Sequence, residues 1–207
     1  MKLLIFGDSI VWGAWDRELG WAYRIKKHCD GKTLDTDFEY YGAVSVLGVS
    51  GDTTNDLLSR FKEETKRRIS LTEENYIMFA IGINDSLFEV EQNEYQVPLE
   101  KFTKNIETLI SEAKEFTKNI IFVGITPVEE AKVTPIPWHK SGNYNMESIK
   151  KYDGVIEEIC KKEKVGFVKI QDLLDNSDLK DGVHPNTQGH EKIFNEVKRF
   201  LEGEGVV

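Results

Sequence analysis

Cysteine is scarce in this chain, with only Cys29 and Cys160 among 207 residues. Two cysteines cannot build a disulfide framework, and each lies among apolar neighbours in a helical pattern, so both are expected to be buried free thiols. His28 beside Cys29 makes no dyad, because adjacent helical residues point in different directions. Long hydrophobic runs are also missing. No stretch approaches the length needed to span a bilayer, and Leu3–Phe6 is too short for the core of a signal peptide. The default expectation is a cytoplasmic protein without stable membrane association. Positive charge is in deficit, with 27 Lys and Arg against 36 Asp and Glu, for a net charge of −9. Such a chain repels phosphate backbones, so nucleic acid is not an expected partner. The densest basic cluster, Lys66-Arg67-Arg68, sits in a Glu-rich helical pattern and reads as a solvated face.

What remains is a globular composition: 40% hydrophobic and 30% charged residues, enough to bury the core of one domain over 1–207. Short runs rich in Val, Ile and aromatics alternate with longer amphipathic stretches. Strands are expected at Leu3–Phe6, Tyr40–Val46, Tyr76–Ile81, Ile120–Ile125 and Phe167–Ile170. Helical patterns cover Trp21–Cys29, Thr54–Arg68, Leu99–Phe116, Met146–Lys162 and Thr187–Leu201. In Leu99–Phe116, residues Phe102, Ile106, Leu109, Ile110 and Ala113 form one apolar stripe at helical spacing. This alternation predicts an α/β fold, a three-layer α/β/α sandwich on a five-stranded parallel sheet. There is no internal repeat, low-complexity tract or linker. The one long irregular stretch, Thr126–Asn145, holds Pro127, Pro135 and Pro137 and is either a lid or binding wall, or a plain surface excursion.

In open parallel sheets, ligands collect beyond the carboxyl ends of the strands. Four expected strands are followed there by small or polar residues: Gly7-Asp8-Ser9, Gly48-Val49-Ser50-Gly51-Asp52-Thr53, Gly82-Ile83-Asn84-Asp85, and Asp181-Gly182-Val183-His184-Pro185. A serine at a strand-to-helix turn can expose its hydroxyl or can simply cap the helix. A hydroxyl nucleophile needs a base, and the base needs a third group to hold its tautomer. Asp181 and His184 can supply both from one short turn, although the same residues also suit a plain turn before a helix. Gly51, Asn84 and the Ser9 N–H can donate to the oxyanion of a tetrahedral intermediate. Gly51 can equally serve only a turn, and Asn84 only a cap or a left-handed position. His139 is the second choice of base, since no Asp or Glu sits near it at the short spacing that Asp181 keeps to His184.

These blocks, in this order, resemble those of the SGNH (GDSL) hydrolases, and they span the chain from Ser9 to His184. The resemblance implies a flavodoxin-like catalytic domain with Ser9 as nucleophile, His184 as general base and Asp181 as its orienter. It implies an oxyanion hole of Ser9, Gly51 and Asn84, and no metal or other cofactor. The partner implied is a small-molecule ester. A small or medium acyl ester is favoured, with a sugar O-acetyl, a thioester or a lysophospholipid as the family's range. Trp12, Trp15 and Trp138 stand near the expected site and can form an aromatic wall or pack under a loop. Two rivals stay open. One is an idle small-molecule or carbohydrate binding domain of the same fold. The other is a metal-dependent phosphoesterase using Asp8, Asp85, Asp181 and His184, which is poor in histidine ligands for a two-metal site. The sequence carries no reading of oligomeric state.

Overall fold

The computed structural model describes all 207 residues, Met1–Val207. The first half of the chain runs β1 (Lys2–Gly7), α1 (Ser9–Trp12), α2 (Gly20–Asp35), β2 (Ala43–Gly48), α3 (Thr54–Lys66), β3 (Asn75–Ala80), β4 (Phe88–Glu89), β5 (Glu94–Tyr95) and α4 (Leu99–Ala113). The second half continues with β6 (Asn119–Val123), α5 (Glu130–Val133), β7 (Gly142–Asn143), α6 (Met146–Glu163) and β8 (Gly166–Val168). A short 3-10 turn at Asn176–Asp178 precedes α7 (Thr187–Gly203).

Strands β2-β1-β3-β6-β8 form one parallel sheet. The central strands read as unbroken apolar runs because helices cover both faces. Leu3, Leu4, Ile5 and Phe6 of β1 and Ile77, Met78 and Phe79 of β3 are wholly buried. Helix α2 packs on α7 to form one layer, while α3, α4 and α6 pack in a row to form the other. The seams follow the helical period: Ile193, Val197 and Leu201 of α7 are buried at four-residue spacing. An aromatic chain of Phe61, Phe6, Phe79 and Phe122 fills the centre, with neighbouring ring centroids 4.9–5.9 Å apart.

The strand order is that of the flavodoxin-like doubly wound sheet, which reverses direction between β1 and β3. In such sheets ligands bind at that reversal, here at the carboxyl ends of β1, β2 and β3. The three-layer α/β/α sandwich and five-stranded parallel sheet read from the sequence are the observed fold.

Several boundaries differ from the pattern reading. The second strand starts at Ala43 rather than Tyr40, because side chains claim the amides before it. Thr36 Oγ1 accepts from Tyr40 N and Thr33 Oγ1 from Gly42 N. Helix α2 runs past Cys29 to Asp35, supported by a Lys26–Asp30 pair one turn apart. The stretch Thr126–Asn145 is not wholly irregular. It contains α5 and β7, and β7 joins β4 and β5 in a small antiparallel sheet of two-residue strands. Strands that short leave no periodicity to read. Both cysteines are buried and free, and no helix is long and apolar enough to cross a membrane.

Candidate active site

The turn after β1 is shaped by close packing. A side chain on Gly7 would meet the Ala80 carbonyl oxygen at 2.2 Å, and one on Gly48 would meet the Trp12 nitrogen at 2.3 Å. Only glycine lets the ends of β2 and β3 press against α1 this tightly. Asp8, not Ser9, caps α1: its Oδ1 accepts from Ile10 N at 2.9 Å. The Ser9 hydroxyl is therefore free of capping, and it lies 2.9 Å from His184 Nε2.

His184 belongs to the turn before α7, whose N-cap is Asn186. Its Nδ1 lies 2.8 Å from Asp181 Oδ2, while Asp181 Oδ1 accepts from the backbone N–H groups of Val183 and His184 at 3.0 and 2.9 Å. Burial alone would raise the Asp181 pKa. The His184 side chain, the two backbone donors and the positive charge of the imidazolium outweigh it and hold the carboxyl at about 2. With the proton on Nδ1, the imidazole points a free lone pair at the Ser9 hydroxyl.

In the loop after β2, Gly51 adopts φ +85°, in the left-handed region that favours glycine, with nothing within 4 Å of the position a side chain would occupy. Its N–H has no acceptor within the protein. Asn84 is not in the left-handed region. Its amide is fixed at both ends: Nδ2 donates to the Asp52 carbonyl at 2.9 Å, and Oδ1 accepts from the Tyr144 hydroxyl at 3.2 Å. One amide hydrogen remains for a ligand.

The loops carrying these donors are anchored from below. Asp85 is fully buried and accepts from Thr54 N at 3.0 and 3.1 Å and from Thr54 Oγ1, tying the loop after β3 to the start of α3. Desolvation raises its pKa to about 6 against these hydrogen bonds. Arg60 pairs with Asp52 at 2.7 Å and donates to the carbonyls of Gly7 and Leu47, holding the ends of β1 and β2. Asp8, buried beside the nucleophile, is raised to about 7, chiefly by desolvation.

Ser9, His184 and Asp181 are thus joined in one hydrogen-bonded chain, and Gly51 and Asn84 are tied to each other through Asp52 in the loops after β2 and β3. Sequence reasoning named Asp8 only as a rival metal ligand, not as the cap, and missed Arg60 and Tyr144. Asp8 was visible as a side chain that favours N-caps. The ties from Arg60 and Tyr144 left no local signal. The loop after α1 also brings Trp15 against the dyad, with its indole ring edge-on to His184 at 5.9 Å, and Trp138 lies 6.2 Å from the same imidazole. His139 does have a carboxylate partner, supplied by β4 rather than by a near sequence neighbour. Its Nε2 is 2.8 Å from Glu89 Oε2, but it contacts no hydroxyl. Nowhere do three or more His, Cys, Asp or Glu side chains converge as ligands for a metal ion would.

The chain is similar to several known proteins. The Bacillus subtilis (strain 168) protein YpmR is 24% identical over 221 residues, covering 97% of this chain and 81% of its relative. LAE5, an alpha/beta hydrolase enzyme from the metagenome of Lake Arreo in Spain, superposes with a TM-score of 0.73 at 20% identity. That match covers 99% of this chain and 95% of LAE5. Axe2, an acetylxylan esterase from Geobacillus stearothermophilus, superposes with a TM-score of 0.69 at 23% identity, over 96% of this chain and 92% of its own. Residues 5–192 match the GDSL-like Lipase/Acylhydrolase family, and the chain belongs to that family of ester-bond hydrolases.

Proposed function

We propose that this protein is a serine esterase that cleaves carboxylic esters through an acyl-enzyme on Ser9. The observation that carries the reading is the continuous relay from Ser9 Oγ to His184 Nε2 and from His184 Nδ1 to Asp181, at 2.9 and 2.8 Å. His184 takes the hydroxyl proton as Ser9 attacks the ester carbonyl, then returns it to the departing alcohol. Water, deprotonated by His184, clears the acyl group. The oxyanion faces the N–H groups of Ser9 and Gly51 and the Asn84 amide. Catalytic mutants of Axe2 replace a serine, an aspartate and a histidine, the aspartate lying three positions before the histidine. Asp181 and His184 keep the same spacing.

The substrate favoured is a small or medium acyl ester of an alcohol with a flat, apolar face, a sugar being one such alcohol and its O-acetyl ester one such substrate. His184 protonates the leaving oxygen, so the leaving group lies on its side of the site. There Trp15 and Trp138 stand half-exposed or more, and a groove lined by Trp12, Trp15, Leu19 and Tyr23 opens beside them. Exposed aromatic faces next to polar groups suit stacking on such a partner.

Hydrolysis of p-nitrophenyl acetate, butyrate and octanoate by wild type and Ser9→Ala, with EDTA present, tests this reading. The alanine variant is expected to lose on the order of 10⁶ in kcat, as in subtilisin, with acetate or butyrate preferred over octanoate. Equal activity of the two proteins would refute the nucleophile and favour the binding-domain rival.

A further inference from the structure

The loop between α1 and α2 holds an indole in an unexpected place. Trp15 adopts φ +64°, a conformation that bulky residues rarely take. Packing does not hold it there, since the residue is 62% exposed. Its one strong polar contact is to the relay: Nε1–H donates to Asp181 Oδ2 at 2.7 Å. The indole nitrogen is also 3.2 Å from His184 Nδ1, but Nδ1 directs its own proton at the same carboxylate, so the carboxylate is the acceptor.

The loop is built to hold that pose. Gly13, Trp15, Leu19 and Gly20 all have positive φ, and Gly13 and Gly20 meet at the neck of the loop, where a side chain on Gly20 would lie 2.5 Å from Gly13 Cα. The buried Asp16 is its knot. Its Oδ1 accepts from Glu18 N at 3.3 Å and Thr187 Oγ1 at 2.8 Å, and its Oδ2 accepts from Gly20 N at 3.0 Å and pairs with Arg24 at 2.9 Å. Thr187 is the first residue of α7, directly after the His184 turn, so Asp16 registers the Trp15 loop to the turn that carries the dyad. Trp21 N adds a second tie to α7, through His190 Nδ1 at 3.3 Å.

We infer that Trp15 is a positioning residue for Asp181. A carboxylate offers about four acceptor sites. Here the Val183 and His184 amides take Oδ1, while the His184 ring and Trp15 take Oδ2. The indole completes that set, fixes the plane of the carboxylate and shields the Asp181–His184 bond from water. Strained backbone concentrates at functional sites where the surroundings over-determine it, and the Asp16 knot does so here. The inference rests on the acyl-enzyme reading.

Two measurements test it. In protein with ¹⁵N-labelled indoles, the Trp15 resonance is assigned by its loss in Trp15→Phe. It is expected to sit downfield and to move upfield in Asp181→Ala, while the Trp21 resonance stays in place. In kinetics, Trp15→Phe keeps an aromatic ring without the donor. It is expected to lower kcat on p-nitrophenyl acetate about tenfold, with KM unchanged, as loss of a hydrogen bond to a charged group implies. In the Asp181→Ala background the same substitution should cost nothing further. A Trp15 resonance indifferent to Asp181→Ala, a kcat within twofold of wild type, or an additive loss in the double variant would overturn the inference. The resonance arm needs no turnover, so failure of the Ser9 reading would show separately, as retained activity in Ser9→Ala.

Discussion

The two sides of the proposed catalytic site are built in opposite ways. The base side is local: Asp181 and His184 stand three residues apart in one turn, and the carboxylate already holds the backbone of that turn through Val183 and His184. The proposed oxyanion side is assembled from distance. Gly51 and Asn84 come from loops after different strands, joined by the Asn84 amide on Asp52 and by Asp85 on Thr54. The Tyr144 hydroxyl, from beyond α5, steadies the other end of Asn84. A local turn orients its groups cheaply, whereas a site drawn from three loops needs buried polar braces to keep a single arrangement. The base side should therefore fail through chemistry when altered, and the oxyanion side through both chemistry and geometry.

The largest effect expected from this contrast is on the base side. Asp181→Asn preserves shape and the acceptor for the backbone amides, yet it favours the wrong imidazole tautomer. In a trypsin-like protease the equivalent change lowers kcat by about 10⁴. A loss on that order is expected here, with near-native thermal unfolding. A loss under tenfold would mean that His184 is oriented by other groups, and the contrast would break.

On the oxyanion side, Asn84→Ala is expected to lower kcat by roughly 10²–10³, the effect of removing one oxyanion donor. Tyr144→Phe leaves the donor in place but frees one end of its amide, so a smaller loss of the same kind is expected, with KM unmoved. If Asn84→Ala left kcat intact, the Ser9 and Gly51 N–H groups alone would stabilise the oxyanion.

The same contrast explains what was legible in the sequence. The sheet was readable because Leu3–Phe6 and Tyr76–Ile81 are unbroken apolar runs, and the long helices because of stripes such as Phe102-Ile106-Leu109-Ala113. Asp181 and His184 could be paired from their spacing, and Gly51 and Asn84 could be named because each follows a strand. The braces could not be named. Tyr144 and Asn84 lie 60 residues apart, and Trp15 lies 166 residues from Asp181. Such contacts are decided by how the layers pack, which no local window contains. The boundaries that slipped did so for a similar reason, as at Tyr40, where the hydroxyls of Thr33 and Thr36 compete for amides that the apolar pattern assigns to a strand.

The smallest effect concerns Asp8, which sits where the two sides meet, next to Ser9. Burial lifts its carboxyl from the ordinary 3.8 to about 7, against the Ile10 N–H and the positive charge of the His184 imidazolium, which favour the anion, and with Asp85 and Asp52 adding to the rise. The folded protein therefore holds a proton here that the unfolded chain releases near pH 4. The resulting stability is fully present below 3.8 and is lost as pH rises through about 7. Asp181 has the opposite sign, and its contribution disappears only as pH falls toward 2. Asp8 should thus lower the unfolding free energy measured in urea between pH 4 and 7, by at most about 1.4 kcal/mol per pH unit. His190 works against it: burial holds its pKa down at about 4, and it favours folding as pH rises through the same interval. Asp8→Asn keeps a side-chain acceptor for Ile10 N and removes the titration, so its slope over that interval should be more positive than that of wild type. An unchanged slope would assign any decline to Asp85 and Asp153, each raised to about 6 mainly by burial. It would leave Asp8 as a capping side chain alone, belonging to neither side of the site.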